Sequence, residues 1–184
     1  MDFYETNEKR RTTRKFKGAA TEAQLQRIIE EGTKAPSARN TQGWEFIIVD
    51  DPALIESIGE IKYVLNRGNK PRGEEVPEEL DKPAQAQKDS FANASLIMVY
   101  HTKGAPHAAG AWCCVQNMLL AATAEGLGSK ISFFAGDAVK DIAKLLQAPD
   151  DVELATAISF GLPAEKPGPR TLREEGSWLH RNRF

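Results

Sequence analysis

Between Ala105 and Ala124 the chain reads A-P-H-A-A-G-A-W-C-C-V-Q-N-M-L-L-A-A-T-A, one helical stretch that is apolar almost all round. A chain of 184 residues seldom covers such a surface alone. The helix is therefore expected at the centre of the core or inside a large subunit interface. His107, Gly110, Gln116 and Asn117 interrupt the run and make it poor material for crossing a bilayer. Its adjacent Cys113 and Cys114 are the only cysteines. Successive helical side chains diverge around the axis, so they read as packed thiols rather than a disulfide, and C-x-x-C spacing is absent.

Three apolar runs bracket this helix. Trp44 to Val49 contains F-I-I-V in unbroken succession, the pattern of a central strand covered on both faces. Ser95 to Tyr100 and Glu153 to Phe160 read as two further buried strands. Helical segments separate them. Thr21 to Gln24 is a capping box ahead of Leu25, Ile28 and Ile29. Pro52 opens a segment ending near Lys62 to Asn66, and Ala138 to Leu146 is a third. Gly126 and Gly128 are placed as C-cap glycines of the long helix. Strands alternating with helices give α/β or α+β layering in a single domain spanning residues 1–184.

Two segments fall outside this pattern. From Arg67 to Lys88 the chain is rich in Gly, Pro, Glu and Lys, and reads as a mobile insertion or lid at about 67–88. The tail after Gly161 carries Pro163, Pro167, Gly168 and Pro169, yet ends S-W-L-H-R-N-R-F. Trp178, Leu179 and Phe184 are expected to pack on another surface, such as a partner subunit. The formal charge of −2 gives no overall field for nucleic acid or anionic lipid. The amino end has no signal-peptide pattern, so the expectation is a cytoplasmic protein without membrane or nucleic-acid partners. His101, His107 and His180 show no ligand spacing, and no metal is expected.

Chemistry concentrates in two places. Lys9 to Lys17 holds six cations in nine residues, with Thr12 and Thr13 among them. The alternation Thr12, Arg14, Phe16 looks like a strand that aims Thr12 and Arg14 to one side. Guanidinium groups with a hydroxyl between them suit a phosphate or the pyrimidine edge of a flavin. Ala35 to Phe46, A-P-S-A-R-N-T-Q-G-W-E-F, places small, hydroxyl and amide side chains in a proline-broken loop able to grip a polar, planar ligand.

The run R-R-T-T-R-K-F resembles the R-R-S-x-R-x-F entry motif of the nitroreductase family, and A-P-S-A-R-N-T-Q-G-W-E-F resembles its A-P-S-x-x-N-x-Q-P-W-x-F. The likeness continues through Gln116 to Ser129, Gly136 to Pro149 and Phe160 to Arg170. It covers nearly the whole chain apart from 67–88.

The resemblance implies an α+β fold of three layers, α/β/α, with a mainly antiparallel sheet flanked by helices and a C-terminal extension exchanged across a homodimer. It implies FMN at the subunit interface, with NADH or NADPH as donor in a ping-pong hydride cycle to a nitroaromatic or quinone. By position, Arg10, Arg11 and Thr12 would hold the phosphate and ribityl chain. Arg14 would sit by N1 and O2, where a fixed cation stabilises the reduced ring. Ser37, Asn40, Gln42 and Asn66 would meet the polar edge, Ser132, Phe133 and Phe134 the face near N5, and Arg170 and Arg173 the phosphate. No protein acid or base is expected. The alternative is a flavin-binding carrier, sensor or electron-transfer protein without turnover. Two departures stand out: Gly43 replaces the family's proline and is expected to loosen the loop, and Lys130 stands where many members carry an apolar or small residue.

Overall fold

The computed structural model describes residues 1–174 and 176–183. Phe184, expected to pack with Trp178 and Leu179, lies outside the described residues. In chain order the elements are α1 (Phe3–Lys9), β1 (Phe16–Ala19), α2 (Glu22–Thr33), a short 3-10 turn (Ala38–Asn40), β2 (Trp44–Val49), α3 (Pro52–Asn66), α4 (Glu78–Ala92), β3 (Ser95–Thr102), α5 (Ala105–Ala124), β4 (Gly128–Ser132), α6 (Asp137–Leu145) and β5 (Val152–Pro163).

All strand pairs are antiparallel. The long β5 is the hub, pairing with β3, β4 and β1, while β2 pairs with β3. Side chains alternate between faces along β3, as strand geometry requires. Ile97 and Val99 join Leu25 and Ile28 of α2 and Cys114, Val115 and Met118 of α5 on one face. Leu96, Met98 and Tyr100 join Ile58 of α3, Phe91 of α4 and Ile142 of α6 on the other. The result is the α+β fold with three layers that the sequence implies.

Local signals explain the helix ends. The Thr21 capping box forms in full, Asp51 caps α3 ahead of Pro52, and Gly126 takes φ of +76° just past α5. Gly128 does something else. It opens β4, packed so tightly that a Cβ there would run into the Thr13 side chain. The α5 stripe of Gly110, Ala111, Cys114, Val115, Met118, Leu119 and Ala122 is buried, while Cys113 on its far side is exposed. Among the described residues no helix is long and apolar enough to cross a membrane.

Three expectations change. β2 is not a central strand: it lies at the sheet edge, paired with β3, and its apolar run is only partly covered, with Ile48 42% exposed. The segment Thr12 to Phe16 is not a continuous strand. Thr12 makes one parallel bridge to Ser129, Thr13 is the buried residue, and regular pairing begins at Phe16. The stretch 67–88 is half helix: it carries most of α4, which buries Ala84 within the stretch and Ser90 and Phe91 just beyond it. Its few large side chains hid that anchoring. The loop before α4 wraps around Arg67, whose guanidinium donates to the carbonyls of Lys70, Pro71 and Glu74 at 2.9, 2.7 and 2.8 Å and pairs with Asp81 at 2.6 Å.

Candidate functional site

The first cluster sits where α1 hands the chain to β1. Arg170 reaches back from the tail and donates to the carbonyls of Asn7 and Arg10 at 2.8 and 2.9 Å. Burial, and then the neighbouring charges of Arg170 and Arg11, hold the Arg10 guanidinium below its ordinary value. Arg11 pairs with Glu8 at 3.5 Å and keeps its Nε buried without a partner. Three guanidinium groups thus crowd together with one carboxylate at the rim, an arrangement that suits a dianionic phosphate. Arg173 does not join them; it donates to the Ser177 carbonyl at 2.8 Å within the tail.

The second cluster lies between β4 and the α3–α4 pair. Asn66 donates to Gln87 Oε1 at 3.1 Å, and Gln87 donates to Ser132 Oγ at 3.1 Å, so two sequence-predicted residues meet through a third. Lys62, one turn before Asn66 on the same helix face, donates to the Phe133 carbonyl at 2.5 Å. Lys130 donates to Ser90 Oγ, and Ser90 donates in turn to the Gln87 carbonyl at 2.6 Å. Burial, then the charges of Lys62 and Arg14, push the Lys130 ammonium down to about 8. Burial lowers Lys62 as well. Arg14 extends outward and exposed, its backbone N–H bonded to Glu165 Oε1 at 2.6 Å and its guanidinium free of partners among the described residues.

The two clusters are physically joined. The bridge from Thr12 to Ser129, with Thr13 N–H donating to the Ser129 carbonyl at 2.9 Å, ties the arginine segment directly to the strand that carries Lys130 and Ser132. Beyond that strand, Phe133 is 58% exposed and lies 5.4 Å from the Trp112 ring of α5. Phe134 packs inward with the α3–α6 layer and under the Lys62 ammonium.

The loop carrying Ser37, Asn40 and Gln42 is shaped by three non-glycine residues with positive φ: Arg39 at 53°, Asn40 at 58° and Gln42 at 49°. Such backbone is costly and collects at ligand sites. Ser37 Oγ accepts from the Gln42 N–H at 3.0 Å, closing the loop on itself. It rests on the start of α5: Thr41 meets His107 at 3.3 Å, and Gly110 abuts Ser37. No side chain of Ser37, Asn40 or Gln42 bonds to the arginine segment of its own chain. Gly43 does not loosen this loop; a Cβ would meet His107 Nδ1 at 2.6 Å, so the glycine admits the imidazole.

Lys62, Gln87 and Ser90 were not legible as site residues. Lys62 shares helical spacing with Asn66, which was a usable signal; Gln87 lay in the stretch read as a lid and Ser90 just beyond it. Two cavities lie elsewhere, of about 1030 Å³ between α3 and α6 and about 580 Å³ beside α2 and β2, and neither is lined by a sequence-predicted site residue. Among the described residues no group of His, Cys, Asp and Glu could hold a metal.

Comparison with known proteins agrees with this geometry. The chain is 31% identical over 180 residues to an iodotyrosine deiodinase of Thermotoga neapolitana, covering 94% of each chain. It is 26% identical to an NADH dehydrogenase of Thermus thermophilus, covering 88% of this chain and 86% of that one. Its fold superimposes on a crystal structure of oxidised iodotyrosine deiodinase bound to FMN and 3-iodo-L-tyrosine, with a TM-score of 0.74, 28% identity and 98% of each chain covered. A nitroreductase of Desulfitobacterium hafniense with bound FMN shares the fold at a TM-score of 0.76, 19% identity and 97% of each chain. The family model described as the nitroreductase family matches residues 8–162. The chain belongs to the nitroreductase family.

Proposed function

We propose that this chain is an FMN-dependent oxidoreductase that takes electrons from NADH or NADPH and passes them to a planar aromatic acceptor, a nitroaromatic or a quinone, working as a homodimer. The observation that carries the reading is the return of Arg170 across the whole fold to stand with Arg10 and Arg11. So much unneutralised positive charge, with a buried and unpartnered Arg11 Nε, fits the phosphate of a mononucleotide.

FMN bound there would supply the hydride chemistry that links the nicotinamide to the acceptor. The chain's own residues bind and orient. Arg10, Arg11, Arg170 and Thr12 grip the phosphate and ribityl end. Arg14, with no competing partner of its own among the described residues, would hold the N1–O2 edge and favour negative charge there. The Asn66–Gln87–Ser132 chain fixes amide and hydroxyl groups along the polar edge, and Phe133 with Trp112 keeps water from one flank. Ser37, Asn40 and Gln42 would act on the partner's site, since none of their side chains bonds to the arginine segment of its own chain among the described residues. Exposed Phe3, Tyr4, Trp178 and Leu179 supply apolar surface for that pairing.

The 31% identical relative favours a second reading of the acceptor, a halogenated phenol that is reductively dehalogenated. One experiment separates the possibilities. The purified protein is expected to be yellow, to release FMN on denaturation, and to bleach on anaerobic addition of NADH or NADPH. Reoxidation by a nitroaromatic, a quinone or an iodophenol then names the acceptor. A yellow protein that neither nicotinamide bleaches would point to the carrier or sensor instead, and a colourless protein that takes up no FMN would end the proposal.

A further inference from the structure

We infer that Lys62 and Lys130 form a receptor for a planar, delocalised organic anion seated against β4, a site that deepens the flavoenzyme reading and rests on it. Both lysines are only 7% exposed. Among the described residues each ammonium makes one hydrogen bond, Lys62 to the Phe133 carbonyl and Lys130 to the Ser90 hydroxyl. Each also lies near an aromatic ring, Phe134 at 5.4 Å and Phe91 at 5.1 Å. None of these partners is an anion.

An ammonium carries three donors, and burying it without a counter-charge is strongly unfavourable. Here the cost is compounded, because Lys62 and Arg14 both press on the Lys130 charge. The same layer shows that paired cations are the local rule. Arg67 meets Asp81 at 2.6 Å, and Lys88 meets Glu56 at 2.6 Å and Glu60 at 2.7 Å. Lys62 and Lys130, by contrast, make no ion pair among the described residues. A methionine at 130 would fill the space without the penalty. The charge is therefore explained only by something that neutralises it in the working protein.

The surroundings narrow the anion. Ser132 and Gln87 present neutral hydrogen-bonding groups beside the lysines, and exposed Phe133 offers a flat apolar face. That combination suits a conjugated anion better than a compact hydrated one. Two sources share this chemistry: the N–C–O edge of the reduced flavin, and a phenolate or carboxylate on the acceptor.

The test compares wild type, Lys130→Met and Lys130→Arg as purified holoprotein. Two quantities are read: the two-electron midpoint potential of bound FMN, and the affinity of the oxidised protein for 4-nitrophenolate relative to uncharged nitrobenzene. Lys130→Met is expected to lose about tenfold in one of them, and Lys130→Arg to retain it. A potential more negative by about 30 mV, tenfold for a two-electron couple, identifies the flavin edge. A tenfold loss of preference for nitrophenolate identifies the acceptor. If Lys130→Met does not fold, Lys62→Met carries the same two measurements. Both quantities unchanged in a folded variant overturn the receptor. Should the protein prove unable to hold FMN, the flavoenzyme reading fails, and nitrophenolate binding to the cofactor-free chain still decides whether the lysines take an anion.

Discussion

Gly43 illustrates how a single missing methyl sets local geometry. Its neighbour Gln42 has φ of +49°, a backbone region that is unfavourable ahead of proline, and its own Cα faces His107 and Thr102. The family's proline would collide twice, with the ring and with the preceding backbone. Gly43→Pro is expected to cost about 2 kcal/mol or more of stability, read by denaturant unfolding. Lys130 carries a different signature. The unfolded chain keeps that proton to an ordinary value of 10.5, whereas the fold releases it near 8, so between these values the unfolded state binds more protons and stability rises with pH. Tyr100 and Cys114, both raised by burial to about 12, act in the opposite sense above their ordinary values of 10 and 9. Comparison with Lys130→Met cancels them. In cofactor-free protein the deficit of wild type against the variant should be full below pH 8 and shrink towards pH 10, as followed by thermal melting.

Helix α4 supplies Gln87 and Ser90 to the cluster beside β4, yet little in its sequence announces it. E-E-L-D-K-P-A-Q-A-Q-K-D-S-F-A has only Leu80 and Phe91 as large apolar residues, and Leu80 is 45% exposed. Pro83 lies inside the helix, where it removes the backbone bond to the Glu79 carbonyl. The helix is held by Phe91, only 1% exposed, and by the polar ties of Tyr63 to Asp81 at 2.6 Å and Asn66 to Gln87. Phe91→Ala is expected to cost about 3–5 kcal/mol and to loosen the position of Gln87 and Ser90, measurable as faster amide exchange across α4. By contrast α2, α3 and α5 were legible because caps and apolar periodicity agree in them. β2 was misjudged for a related reason: an unbroken apolar run does not say whether a second strand lies alongside, and here one flank is open and Ile48 is exposed. The arginine motif and the loop at 35–43 were legible as chemistry. Their partners Lys62, Gln87 and Ser90 were not, because only tertiary packing brings three elements to one strand end.

At the scale of the whole molecule, the described residues between 164 and 183 form no helix or strand, and Leu172, Trp178 and Leu179 are 73%, 58% and 62% exposed. Apolar side chains on an extended arm contribute little to a lone chain and much to a pair. A chain ending at Pro163 should keep its core fold by circular dichroism. It should also elute as a smaller species by light scattering and retain less FMN, since Arg170 leaves with the arm. An intact dimer with undiminished FMN content would remove the arm from both roles.

The bridge from Thr12 to Ser129 is a short contact with a long reach. It fastens the guanidinium trio and the lysine-bearing strand into one unyielding frame, so the distance between a ligand's acidic tail and its flat head is measured by the backbone itself. Riboflavin, which has the head without the phosphate, should occupy such a gauge far more weakly than FMN in competition titrations.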